Sequence, residues 1–179
     1  VSGDVVLVTG AAHGLGAAIA TALHSAGFRV GLGDLDHAAA AARAAELDPS
    51  QSANPSSNPS HATAVAIPLD VREHASIEAA RDLLLSRWGS VEALVNNAAA
   101  TAAKPVLDIT PEEFDAVFAV NARGTFLASQ ILAREFKQRG YGRIVNLASL
   151  AGQNGGTATG AHYAASKGAI LTLTKVFAR

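Results

Sequence analysis

The sequence contains no cysteine, which excludes disulfides, thiolate zinc sites and cysteine nucleophiles. Charge is sparse: 16% of residues are charged, the net charge is −1, and no basic run occurs. Nucleic-acid binding is therefore not expected as the main role. No apolar run reaches spanning length and no secretory leader pattern opens the chain, so no membrane partner is expected and the cytoplasm is the default location. No metal-ligand set stands out. What is abundant is apolar surface: 49% of 179 residues are hydrophobic, enough for a single domain over 1–179 with a sizeable core. The chain starts at Val1 without Met and stops at Arg179 in a helical run without a Gly or Asn cap, so a piece of a longer polypeptide is expected.

The run Val5-Val6-Leu7-Val8 has the continuous apolar character of a parallel strand buried on both faces. It leads into Thr9-Gly10-Ala11-Ala12-His13-Gly14-Leu15-Gly16 and then a helical pattern that stops at Gly27. Strand, glycine-rich turn and helix is the layout in which backbone N–H groups hold a pyrophosphate. The spacing departs from G-x-G-x-x-G, and a tight turn alone would also use such glycines. Phe28 to Gly33 reads as a second strand ending at Asp34, 20 residues after Gly14, where a Rossmann domain places the acid that binds the adenosine ribose. A carboxylate there would repel a 2′-phosphate, which favours NAD(H) and leaves NADP(H) possible. The lesser reading of Asp34 is the N-cap of a helix over 35–47, and the two roles are compatible. His13 is either a partial positive charge near a phosphate or loop filler.

Pro49, Pro55 and Pro59, with Ser and Asn between them, mark 48–61 as a flexible surface insertion. A third strand over 63–69 ends in Asp70-Val71, an amphipathic helix spans 73–88, and a fourth strand over 91–95 runs into Asn96-Asn97-Ala98-Ala99. Asn97 either braces its loop or touches a ligand. Thr110-Pro111-Glu112-Glu113 is a capping box opening a helix that continues to about residue 138, with a kink expected at Asn121 and Gly124. A fifth strand over 143–147 precedes Ser149, and a glycine-rich loop over 152–160 leads to Tyr163-Ala164-Ala165-Ser166-Lys167. Five strands alternating with helices imply a doubly wound α/β fold, a parallel sheet in a three-layer α/β/α Rossmann-like sandwich. Gly10, Asp34, Asp70, Asn97 and Ser149 all fall at the C-terminal ends of strands, the edge at which open α/β sheets bind ligands.

Tyr163 and Lys167 are four apart and share one face if the segment is helical. A cation beside a phenol stabilises phenolate and brings Tyr toward the range useful for general acid/base work. The spacing alone is also what an exposed Lys beside a packed Tyr would show.

Together, Thr9-Gly10-x-x-x-Gly14-x-Gly16, Asp70-Val71, Asn96-Asn97-Ala98-Ala99, Asn121-x-x-Gly124, Ser149 and Tyr163-x-x-x-Lys167 resemble the short-chain dehydrogenase/reductase family, in its order and across nearly the whole chain. The resemblance implies that Gly10, Gly14 and Gly16, with His13 and Leu15, surround the dinucleotide phosphates. It implies that Asp34 binds ribose, that Asp70 and Val71 flank adenine, and that Asn97 and Ala98 line the cleft. Tyr163 would be the general acid or base, Lys167 would assist it and bind the nicotinamide ribose, and Ser149 would orient the substrate oxygen with Tyr163. Asn121 would hold a water that relays protons to Lys167. Ala99 stands where the family usually has Gly, and the 14 positions from Ser149 to Tyr163 exceed its usual spacing by about one. Members continue with two more strands and a substrate-covering segment, so the fold is expected to be truncated after the fifth strand and its helix, with an unpaired sheet edge.

The activity so implied is hydride transfer between a nicotinamide cofactor and a small secondary alcohol or ketone. The alternative is a fragment or sensor that binds nucleotide without turnover. A homo-oligomer, dimer or tetramer, is expected of the complete protein through the helices over 111–138 and 163–179.

Overall fold

A computed structural model describes residues 3–49 and 61–179. Within the expected insertion over 48–61, residues 50–60 lie outside the described residues. The strands are β1 (Val5–Thr9), β2 (Arg29–Asp34), β3 (Ala64–Pro68), β4 (Ala93–Asn96) and β5 (Arg143–Asn146). They form one parallel sheet in the order β3-β2-β1-β4-β5, as the alternating pattern predicts. The order reverses at β1, so a crevice opens between the C-terminal ends of β1 and β4.

Burial on both faces explains the unbroken apolar run of β1. Alternate residues serve opposite cores. Val6 and Val8 pack with Val30, Leu32 and Ala20 under helices α1 (Gly14–Ser25) and α2 (His37–Leu47). Val5 and Leu7 pack with Leu94, Ile77, Leu84, Ile131 and Leu132, beneath α3 (His74–Trp88) and α5 (Thr125–Arg139). Leu7 pairs with Gly31 on one side and Leu94 on the other.

The capping box at Thr110 forms as its sequence predicts. Thr110 Oγ1 accepts from the Glu113 N–H at 3.3 Å, and Glu113 Oε2 accepts from the Thr110 N–H at 2.9 Å. It opens α4 (Pro111–Phe118), which passes through a π-helical segment (Ala119–Gly124) into α5. The kink expected at Asn121 and Gly124 is this π segment, where one extra residue per turn redirects side chains. Against the expectation that no run reaches spanning length, Pro111–Arg139 is 29 helical residues containing an apolar window of mean hydropathy 1.2. Its face carrying Ile131, Leu132 and Phe136 packs in the core on the sheet, the arrangement of a core helix.

Two elements close the described chain: α6 (Ala151–Asn154), a short helix inside the expected loop, and α7 (Ala161–Phe177), which carries Tyr163 and Lys167. β5 is an edge of the sheet, as expected, and its Val145 is 52% exposed.

Candidate active site

The turn after β1 is shaped by close backbone approach. Gly10 has φ +66°, and a Cβ there would stand 2.9 Å from Ala98 Cα. A Cβ at Gly16 would collide with the Gly10 carbonyl oxygen and lie 2.5 Å from Asn97 Nδ2. Side chains are thus excluded where the loop, the β4 end and α1 meet. The first helical bond of α1 runs from the Ala17 N–H to the His13 carbonyl, and no acidic residue sits in the first turn. The N–H groups of Gly14, Leu15 and Gly16 therefore have no acceptor within the helix and present a partial positive charge.

These glycines face a cleft of about 380 Å³, lined also by His13, Leu15, Asp34, Leu35, Leu69, Asp70, Val71, Asn97, Ala98, Ala99 and Val120. Every residue expected at the cofactor cleft except Tyr163 and Lys167 lines it. Asp34 accepts from the Ala12 N–H at 2.9 Å and from the Asp36 N–H at 3.0 Å, which turns its carboxylate toward the glycine loop. The N-cap of α2 is Asp36, accepting from the Ala39 N–H at 3.0 Å, so the alternative capping role for Asp34 is displaced by two residues. The helix begins at His37 because Asp34 spends its oxygens on the loop and on the Asp36 amide. His13 is exposed, with its Nε2 3.5 Å from Asp36 Oδ2. Asp70 is gripped by Arg72, whose Nη2 lies 2.6 Å from Oδ2 and whose Nε lies 2.9 Å from Oδ1. The Arg72 guanidinium holds the Asp70 carboxyl below its ordinary range.

Asn97 braces the turn: its Nδ2 donates to the carbonyls of Thr9 at 3.0 Å and Gly10 at 2.8 Å. Thr9, which sequence reasoning counts only as a motif letter, is buried and clamps β1 to β4. Its Oγ1 accepts from the N–H groups of Asn97 at 3.1 Å and Ala98 at 3.0 Å. A Thr at the last position of a buried strand was the available signal.

On α7, the i, i+4 spacing places Lys167 Nζ 5.7 Å from the centroid of the Tyr163 ring. Lys167 is 3% exposed, and its Nζ donates to the Leu147 carbonyl at 2.6 Å. Burial pushes its pKa below the ordinary lysine value. One of three ammonium donors is thus spent on the end of β5, and two remain for other partners. Ser149 is half-buried just beyond β5, and its Oγ accepts from the Ala151 N–H at 3.2 Å. Asn121, on the π segment, is fully buried. Its amide bonds both backbone groups of Ala100, at 2.8 and 2.9 Å, and Ser166 Oγ at 2.9 Å. Ser166, Arg72 and the Leu147 carbonyl are the partners that motif matching passes over.

A parallel sheet reversing at β1, a glycine-rich turn at that crevice and a Tyr–Lys pair on α7 define an α/β protein of Rossmann type. A family model described as short chain dehydrogenase matches residues 4–179, and the chain belongs to that family. It is 41% identical to a sorbitol dehydrogenase of Cereibacter sphaeroides over 97% of this chain and 62% of that one. It is 35% identical to a D-threitol dehydrogenase of Mycolicibacterium smegmatis, over 98% of this chain and 64% of that one. An L-xylulose reductase of Bos taurus is 38% identical over 99% of this chain and 65% of its own length. The chain thus spans somewhat under two thirds of these relatives. Among solved structures, a 3-ketoacyl-(acyl-carrier-protein) reductase from Brucella melitensis complexed with NADH superposes with a TM-score of 0.87 at 32% identity, covering 99% of this chain and 69% of that one.

Proposed function

We propose that the protein is an oxidoreductase that moves a hydride between a nicotinamide dinucleotide and a secondary alcohol or ketone of a small polyol, with Tyr163 as proton donor and acceptor. The observation that carries this reading is Lys167, buried on α7 with its ammonium held 5.7 Å from the Tyr163 ring centroid. A protein that only sensed nucleotide would have little use for a buried ammonium kept beside a phenol. The polyol class is suggested by the relatives that act on sorbitol, threitol and xylulose.

The cleft residues fit a dinucleotide. Gly10 and Gly16 let the loop, the β4 end and α1 close on one another without side chains, the space beside Gly14 is open, and the free N–H groups of the first turn of α1 suit phosphate oxygens. Asp34 would hold the adenosine ribose, with NAD(H) favoured because its carboxylate repels a 2′-phosphate. Asp70 and Val71 would border adenine, and Asn97 holds the cradle in shape. The bound nicotinamide supplies the hydride chemistry. The remaining work belongs to the chain. Ser149 orients the substrate oxygen, and the Tyr163 hydroxyl gives it a proton or takes one from it. Lys167 stabilises the charge left on the phenol oxygen, since it needs only one donor for Leu147. The Asn121 amide is committed to Ala100 and Ser166, so a water relay toward Lys167 would use the Asn121 backbone carbonyl.

The test is NAD⁺-dependent oxidation of D-sorbitol, D-threitol and xylitol by the full-length protein. Tyr163→Phe is expected to lower turnover by about 10²- to 10⁴-fold while NADH still binds. Retention of most of the activity by that variant would remove Tyr163 from its role. A cytoplasmic homo-oligomer belongs to the same reading. Phe114, Phe126 and Val176 expose apolar surface on α4, α5 and α7, and sedimentation as a monomer would count against assembly through them.

A further inference from the structure

We infer that Ser166 is a positioning residue that ties Tyr163 to the wall of the cofactor cleft through Asn121, an inference that rests on the reading of Tyr163 above. Ser166 and Asn121 are both fully buried. Ser166 Oγ donates to the Tyr163 carbonyl at 2.7 Å and accepts from Asn121 Nδ2 at 2.9 Å. The second hydrogen of Asn121 Nδ2 goes to the Ala100 carbonyl at 2.9 Å, and Asn121 Oδ1 accepts from the Ala100 N–H at 2.8 Å. Both amide donors are then used, and the side chain pairs with Ala100 as a strand would. Ala100 directly follows Ala98 and Ala99, which line the cleft. An unbroken path of hydrogen bonds therefore leads from the cleft wall, through the π segment, to the backbone of Tyr163.

The sequence supports a dedicated role for this hydroxyl. Ser166 is surrounded by Ala164, Ala165 and Ala169, and alanine at 166 would favour the helix more. A serine that bonds back to the carbonyl three residues earlier tends to weaken and bend its helix. The compensation visible here is the buried Asn121 donor, for which Ser166 Oγ supplies the acceptor. Lys167, the next residue, is pinned independently to Leu147. Tyr163 is thereby registered to the cleft and Lys167 to β5, by separate links.

The test compares Ser166→Ala with Ser166→Cys, which keeps the volume but bonds weakly. Amide hydrogen exchange is followed residue by residue, without substrate. Ser166→Ala is expected to speed exchange at the Ala100 N–H by about 10-fold or more while leaving Leu7 unchanged. Ser166→Cys should fall between, and it carries the test alone if the alanine variant does not fold. With D-sorbitol, kcat should fall by about 10-fold with KM and NADH affinity within about twofold, the pattern of a misplaced acid/base rather than lost binding. Wild-type exchange at Ala100 in both variants would overturn the proposal, as would equal acceleration at Leu7, which would mean global loosening. Exchange needs no turnover. A protein inert toward every polyol, yet showing the Ala100 effect, would sink the proposed activity and leave the link standing.

Discussion

At the β1 end of the site all five strand residues are buried, whereas in β5 Arg143 is exposed and Val145 is 52% exposed. The β1 end is held by apolar packing on both faces of the sheet. The β5 end relies on directional polar links: Lys167 to Leu147, Asn146 to Thr174 at 2.9 Å, Asn96 to Asn146 at 2.8 Å, and Asn121 to Ser166. Apolar burial is strong but has no direction, so it fixes a backbone frame. Hydrogen bonds are individually weaker but aim side chains. The strand frame beneath the glycine loop rests on the first kind of support, with Thr9 and Asn97 adding polar clamps at its rim, and the Tyr–Lys pair rests on the second.

The largest difference between the two ends is expected from a matched pair of side-chain truncations in the 179-residue chain. Leu7→Ala removes a side chain buried between Leu94, Leu84 and Ile131 and should cost about 2–5 kcal/mol in urea unfolding. Val145→Ala, at the exposed edge, should stay within about 0.5 kcal/mol. Comparable losses in the two variants would mean that the β5 end also depends on apolar burial.

The same division governs what could be read from the sequence. Strand and helix order followed from apolar period, because burial on both faces leaves an unbroken run such as Val5 to Val8. The capping box at Thr110 was legible because its chemistry is local in sequence. That Gly10, Asp34, Asp70 and Asn97 line one cleft was legible because each falls at a strand end. The links Asn121–Ser166 and Lys167–Leu147 span 45 and 20 residues, and no periodicity encodes them. Asp36 displaced Asp34 as the α2 cap for a related reason: the bond from Ala12 to Asp34 crosses 22 residues and cannot be seen locally.

A smaller effect is expected where α6 meets α7. A Cβ at Gly152 would lie 2.6 Å from the Lys167 carbonyl carbon and 2.7 Å from the Gly168 nitrogen. That backbone contact sets how far Ser149, at the head of α6, stands from the Tyr163 face of α7. Gly152→Ala should destabilise by about 1–3 kcal/mol through overpacking, and it should lower turnover while NADH titration is unchanged, since the β1 cradle is untouched. Lost NADH affinity would show that the two ends are not separately supported.

The weakest signal expected is a slope in pH. Burial lowers the Lys167 pKa from the ordinary 10.5, so between the folded and unfolded values the unfolded chain binds the extra proton. Stability must then rise with pH across that window. Below the folded value both states are protonated and the cost of the buried ammonium is constant; above 10.5 neither state carries it. Unfolding free energies of the wild type and Lys167→Gln, measured in urea at intervals from pH 7 to the alkaline limit, isolate this residue because other titrations cancel in the difference. The wild type should gain on the variant as pH climbs toward 10.5. A flat difference would mean that Lys167 is solvated as freely as in the unfolded chain, and the ammonium beside Tyr163 would then be a surface charge with little leverage on the phenol.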